Sequence, residues 1–203
     1  MKIAISGLSG CGNSTACKNV AAALGIKILN YTLRDTAREL GITLDEIQKL
    51  AEKDAYYDYL VDKKQIELSE EEENFVIGSR LAGWVIENTD LRVWLTASPE
   101  VRAQRIAKRE GISFEKALDH LKKRDEQNSE RYKKYYGVDV NDLGGYDLIL
   151  NTEYLTPEQV ASAIVEAARK AEQNTLHKPN KIAQRIKQLI YLELEKREKQ
   201  VKK

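Results

Sequence analysis

One run near the start of the chain, Gly7-Leu8-Ser9-Gly10-Cys11-Gly12-Asn13-Ser14-Thr15, constrains the fold more than any other feature. It follows Lys2-Ile3-Ala4-Ile5-Ser6, an apolar stretch suited to a first β-strand, and precedes a helix-forming stretch over 16–24 that ends at Gly25. Strand, glycine-rich loop and helix in that order make a phosphate-binding loop. The glycines let backbone N–H groups turn inward around phosphate oxygens, and the helix N-terminus adds partial positive charge. The spacing fits G-x-x-x-x-G-K-[ST] except at one place, where Asn13 stands instead of lysine. The run predicts a site for a phosphate-rich nucleotide. Ser14 is the hydroxyl placed for Mg2+, and Thr15 supports the phosphates beside it. Asn13 cannot supply the missing charge; its amide is expected to donate to a β- or γ-phosphate oxygen, a weaker bond than a charge-assisted one. Lys18, one turn on, reads as a solvent-facing lysine rather than a substitute.

The bulk composition narrows the setting. A chain of 203 residues is long enough for one α/β domain with a real core plus an appendage. Lys and Arg total 33 against 32 Asp and Glu, a balance that does not call for nucleic acid or an anionic membrane as partner. Cys11 and Cys17 both fall in the first loop–helix unit, so no disulfide framework is expected and a reducing interior fits. No leader pattern and no apolar run near about 20 residues is present, and the expectation is a cytoplasmic protein.

Four further strands are predicted at 27–31, 74–78, 91–95 and 146–150, and helices fall between them. Thr32 caps a helix over 33–40 that stops at Gly41. Thr43 with Glu46 forms a capping box that opens 44–52. Asp54 starts a helix to about 68, followed by an acidic turn at 70–73. Ser98 or Pro99 starts a helix carrying Val101, Arg105 and Ile106, and Ser113 begins a long charged helix through 136. Thr156-Pro157-Glu158 caps a helix to about 172. Strands alternating with helices argue for a five-stranded parallel sheet flanked by helices, with ligands at the carboxyl ends of the strands. That places 7–15, 32–34, 78–80 and 97–98 around one crevice.

Arginines are the second signal, because phosphoryl transfer needs positioning and neutralisation of spread charge, which planar guanidinium groups supply well. Arg34 follows the second strand and Arg80 the third. Arg105 and Arg109 are i,i+4 on one helix face, and Arg124 and Arg131 share another. Arg92, Arg102 and Arg169 read as ordinary surface charges, and His120 and His177 as surface residues.

These residues resemble the cytidylate kinases, most closely the short form of archaea and some bacteria, within the nucleoside-monophosphate kinases. The resemblance rests on 5–15, Tyr31-Thr32-Leu33-Arg34-Asp35, 78–84, 105–112, 124–132 and the ending Tyr146-Asp147-Leu148-Ile149-Leu150-Asn151-Thr152 before a helix. It covers 1 to about 172. It implies a kinase domain over 1–173, with a mobile acceptor-binding segment at about 32–68 and a lid at about 110–124. It implies that ATP phosphates lie on Gly7, Leu8, Ser9, Gly10, Cys11, Gly12, Asn13, Ser14 and Thr15, with Mg2+ at Ser14. Arg34 and Arg80 match positions that hold the acceptor phosphate. Arg105 and Arg109 match arginines near the lid, and Arg124 and Arg131 a pair touching phosphates of both substrates. Asp125 and Asn128 fall near the acceptor nucleoside. The implied reaction moves the γ-phosphoryl group of ATP to CMP or dCMP. AMP or UMP as acceptor, and a nucleotide-binding regulator without transfer activity, are the alternatives. No Asp follows the third strand to steady Mg2+ through water, and Asp35 and Asp90 are candidate substitutes.

Beyond a linker over 174–180, residues 181–203 form one basic helical pattern with Ile182, Ile186, Leu189, Ile190 and Leu194 on a stripe. It reads as a surface or dimer-forming helix, in preference to an RNA or anionic-surface contact. A monomer or homodimer is expected.

Overall fold

Ile3, Ala4 and Ile5 are all inaccessible to solvent, although they point alternately to opposite faces of one strand. Burial on both faces belongs to a central strand of a covered parallel sheet. That strand, β1 (Lys2–Gly7), lies between β3 (Phe75–Gly78) and β4 (Leu91–Thr96), with β2 (Lys27–Leu29) and β5 (Leu148–Asn151) at the edges. Every pairing is parallel, as the strand–helix alternation predicts. The computed structural model describes residues 1–173 and 180–201.

The helices are α1 (Asn13–Leu24), α2 (Leu33–Leu40), α3 (Leu44–Lys53), α4 (Tyr56–Glu71), α5 (Ala82–Val85), α6 (Pro99–Glu110), α7 (Phe114–Tyr136), α8 (Pro157–Glu172) and α9 (Lys181–Val201). On one face of the sheet, Ile3, Ile5, Val76 and Val93 pack with Val20 of α1 and Ile164 of α8. On the other, Ala4, Phe75, Ile77 and Trp94 pack with Trp84, with Ile66 of α4, Tyr136 of α7, and Ile186 and Ile190 of α9. A small cluster of Ala103, Ile106, Ala117 and Leu121 joins α6 to α7 as a hairpin, turned at Gly111 with φ 67°. Among the described residues, no helix is long and apolar enough to cross a membrane.

Among the differences from the sequence reading, three boundaries and one unpredicted helix have physical reasons. Helix α1 starts at Asn13, inside the glycine run, because Gly12 takes a left-handed φ of 99° that ends the loop there. Strand β2 stops at Leu29, and beyond it the carbonyl of Tyr31 accepts from Gln65 Nε2 rather than from a ladder. Helix α4 runs on to Glu71, so the acidic turn begins only at Glu72; Glu70 is held by Lys187 and Glu72 by Lys27. The four-residue α5 was not predicted, being too short to show a helical period.

The tail differs most. Ile186, Ile190 and Leu194 bury against α4 and α5 of the same chain, while Ile182 stays 40% exposed. That part of the stripe is thus used inside the domain, while the rest of α9 stays exposed, as expected of a surface helix. Of the predicted linker over 174–180, residues 174–179, with His177, lie outside the described residues, as do the last two lysines.

Candidate active site

The glycine run folds as a cradle in which the backbone carbonyls from Gly7 to Gly12 all accept hydrogen bonds. Gly7 O accepts from Asn13 Nδ2 at 3.1 Å, and Leu8 O from Cys11 N at 3.2 Å. Ser9 O accepts from Arg102 Nη1 and Gly10 O from Arg105 Nη1, each at 3.3 Å. Cys11 O accepts from Thr152 Oγ1 at 3.0 Å, and Gly12 O from Ala16 N at 2.9 Å. With the oxygens engaged, the amides heading α1 face outward unpaired, since first-turn N–H groups have no intrahelical acceptor. An anion is the natural complement. Gly10, at φ 85°, also makes room: a Cβ there would come within 2.9 Å of Arg102 Cβ and O.

The cradle opens into a cavity of about 870 Å³ at the carboxyl ends of the strands. All nine loop residues line it, as do Arg34, Arg80, Arg105, Arg109, Arg124 and Arg131. Among the described residues, the acidic side chains on its wall are Asp58 and Asp62. Six guanidinium groups against two carboxyls make this a strongly cationic cleft, suited to several phosphates at once. Arg80 Nη2 reaches Ser9 Oγ at 3.2 Å, tying the end of β3 to the cradle. Arg105 also donates to Thr152 Oγ1 at 2.9 Å and Thr152 O at 2.7 Å. Arg109 pairs with Glu110 at the exposed rim, and Arg34 and Arg124 extend from the exposed sides of their helices.

Across the cavity from the cradle, α4 presents Asp58, Asp62 and Gln65 on one face. Asp58 Oδ2 lies 3.4 Å from Arg131 Nε, an ion pair without a hydrogen bond, and both atoms are buried with no other partner. Burial raises the Asp58 carboxyl above its usual range against the pull of Arg131 and then Arg80. Asp62, a buried residue at the cavity wall, accepts from the Tyr136 hydroxyl; burial pushes its carboxyl up to about 7, opposed by that hydrogen bond. Gln65 Nε2 is fixed on Tyr31 O at 2.7 Å, so its Oε1 is set as an acceptor, buried and unpartnered. This wall of acceptors was not read from the sequence. An acidic pair at i,i+4 on a helix is ordinarily a solvated face, and only the second cleft-facing side of α4 makes it otherwise.

Other expectations land elsewhere. Asp125 and Asn128 are not on the cavity wall: Asp125 pairs with Arg102 at 2.8 Å, and Asn128 Oδ1 accepts from Arg131 Nη2 at 3.2 Å. Arg102, read as a surface charge, is only 4% exposed and sits behind the loop. The Asn13 amide, expected on a phosphate, is folded back onto Gly7. Asp35 serves the capping box of Thr32, and Asp90 accepts from Lys2 N at 2.6 Å, at the opposite end of β1 from the cradle. Neither is placed to serve Mg2+. Lys18 is exposed, as expected.

Residues 2–154 match the model of the cytidylate kinase-like family. The chain is 48% identical over 168 residues to a cytidylate kinase of Pyrococcus abyssi, covering 82% of this chain and 92% of that one. It is 40% identical over 169 residues to a cytidylate kinase of Archaeoglobus fulgidus, covering 82% and 94%. Among solved structures, shikimate kinase from Bacteroides thetaiotaomicron superposes with a TM-score of 0.54 at 19% identity, covering 85% of this chain and 98% of that one. A deoxyadenosine kinase from M. mycoides superposes with a TM-score of 0.54 at 18% identity, covering 84% and 100%. These two share the fold.

Proposed function

The chain belongs to the cytidylate kinase-like family, and from that premise we infer that it transfers the γ-phosphoryl group of ATP to CMP or dCMP, giving ADP and the diphosphate. The observation that carries the reading is the single cleft in which the cradle and six arginines face an acceptor-lined wall. An acceptor phosphate oxygen attacks the γ-phosphorus in line. A new P–O bond forms as the bond to the β-phosphate bridging oxygen breaks, and ADP leaves with that electron pair. The acceptor oxygen is already ionised, so no side chain has to remove a proton.

The residues divide by place. The amides of Gly12, Asn13, Ser14 and Thr15 hold the donor phosphates. Arg34 and Arg80, at the ends of β2 and β3, hold the acceptor phosphate. Arg105, Arg109, Arg124 and Arg131 come from the α6–α7 hairpin and neutralise the group in transit, while closure over 110–124 excludes water. Asp58, Asp62 and Gln65 offer acceptors to an amino-bearing base such as cytosine, and a uracil edge, which presents a carbonyl there, is met poorly. Asp125 and Asn128 act indirectly, by setting Arg102 and Arg131.

The Ser14 hydroxyl stands exposed beside the cradle, a hard oxygen suited to Mg2+, which keeps most of its waters and takes its remaining contacts from substrate phosphates. Ser14 would hold it, and the ion would supply neutralisation of phosphate charge. ATP and the nucleotide acceptors are cytoplasmic solutes, and the cytoplasm is the working compartment.

The test is a coupled ADP-release assay with CMP, dCMP, UMP, AMP and GMP. Turnover with CMP or dCMP well above the others is expected. No turnover with any acceptor, in protein that binds ATP tightly, sinks the reading.

A further inference from the structure

Helix α9 lies outside the residues matched by the family model, and none of its described side chains lines the cavity. It nevertheless grips the backs of the two helices that shape the acceptor side. Toward α4, Lys187 pairs with Glu70, Arg197 pairs with Asp54 just before the helix, and the Arg197 guanidinium lies 4.4 Å from the Tyr56 ring centre. Toward α7, Arg185 Nη2 donates to the carbonyl of Tyr136, the last residue of that helix, at 3.3 Å. Its own start is fixed by Asn180, which donates to Gly83 O at 3.0 Å and caps the helix by accepting from Ala183 N at 3.1 Å. Between these ties, Ile186 and Ile190 are fully buried.

The residue that Arg185 holds is the one whose hydroxyl donates to Asp62 on the cavity wall. The Tyr136 ring also packs edge-on against Tyr59 of α4, with centres 5.5 Å apart. A path of direct contacts therefore runs from α9, through the end of α7, to an acceptor-side carboxyl.

We propose that α9 is a strap that sets the acceptor half of the active site, with Arg185 as a positioning residue acting through Tyr136 on Asp62. The strap holds α4 and the end of α7 in one register. Closure on the acceptor then falls to α2 and α3, so the moving part of the segment over 32–68 ends near Asp54. The strap approaches the ATP cradle by another route, through Asn180 and Gly83, whose N–H donates to Ser6 Oγ just before the loop. This inference rests on the acceptor reading of the cavity given above.

The test compares Arg185→Ala, Arg185→Lys and Tyr136→Phe in the full chain, with KM for CMP and for ATP measured separately and the thermal midpoint recorded. Arg185→Ala is expected to raise KM for CMP by roughly fivefold, less than the full worth of a hydrogen bond from a charged donor because the contact acts on the site through Tyr136, while KM for ATP stays within twofold. Arg185→Lys restores most of the loss, because an ammonium still reaches a carbonyl. Tyr136→Phe shows the same bias toward CMP, and combined with Arg185→Ala it adds less than the sum of the two. Equal rises in both KM values, an unchanged KM for CMP, or full additivity overturns the proposal. A wild-type chain that turns over no acceptor overturns the kinase reading instead, and the two failures are thus distinguishable.

Discussion

The side-chain amide of Asn13 donates to the carbonyl of Gly7 across the mouth of the loop, joining its first residue to the first residue of α1. Asn13 is therefore a brace where a lysine would be a ligand. Removing the amide in Asn13→Ala frees Gly7 O and slackens the cradle. KM for ATP is expected to rise about fivefold, the worth of one neutral hydrogen bond of about 1 kcal/mol. Steady-state kinetics with varied ATP checks this, and an unchanged KM removes the brace from the account.

Arg102 holds the loop from behind, so its loss should register in stability as well as in binding. Arg102→Met strands Asp125, whose side chain is 21% exposed. The expected cost is about 2–3 kcal/mol, below the roughly 3–5 kcal/mol for a fully buried broken pair. Adding Asp125→Asn to the same chain should recover part of it. Urea unfolding reads both, and a double variant less stable than the single one contradicts the pairing.

How far the sequence reached is best seen on α6. Arg105 and Arg109 were legible from i,i+4 spacing, because a shared face is a local property. Arg102 carries no local mark: what buries it is the back of a loop 93 residues away in sequence. The same divide runs through the rest of the chain. Capping at Thr43, Ser98 and Thr156 and the stripe on α9 were local and visible. The partner of that stripe, the inward side of Asp58 and Asp62, and the destination of Asp125 are set by packing between distant elements.

Arg80 ties β3 to the cradle; if it holds the acceptor phosphate as proposed, Arg80→Ala should raise KM for CMP and lower kcat together. Unchanged kinetics would take Arg80 out of the site.

Asp62 gives a dependence on pH with a definite sign. Burial, aided by the charge of Asp58 and opposed by Tyr136 and Arg131, puts its folded-state pKa at about 7, against a reference carboxyl at 3.8. Between these values the folded chain keeps a proton that the unfolded chain has released. The stability this contributes is present below the reference value and is lost as pH rises through about 7. Asp62→Asn, which still accepts from Tyr136, should flatten the decline. Urea midpoints for both proteins from pH 5 to pH 8 measure it, and parallel profiles would refute it.

Carbonyls of the cradle are caught by Arg102, Arg105 and Thr152, which lie 93, 95 and 141 residues further along the chain. Contacts of such long range close late in folding, after the entropy of joining distant segments has been overcome. The ties from Asn13, Cys11 and Ala16 lie within the strand–loop–helix unit, but the full set is assembled only once α6 and the segment after β5 are in place. Nucleotide binding on this chain is therefore a report on completed folding, and ATP selects and stabilises chains that have finished it.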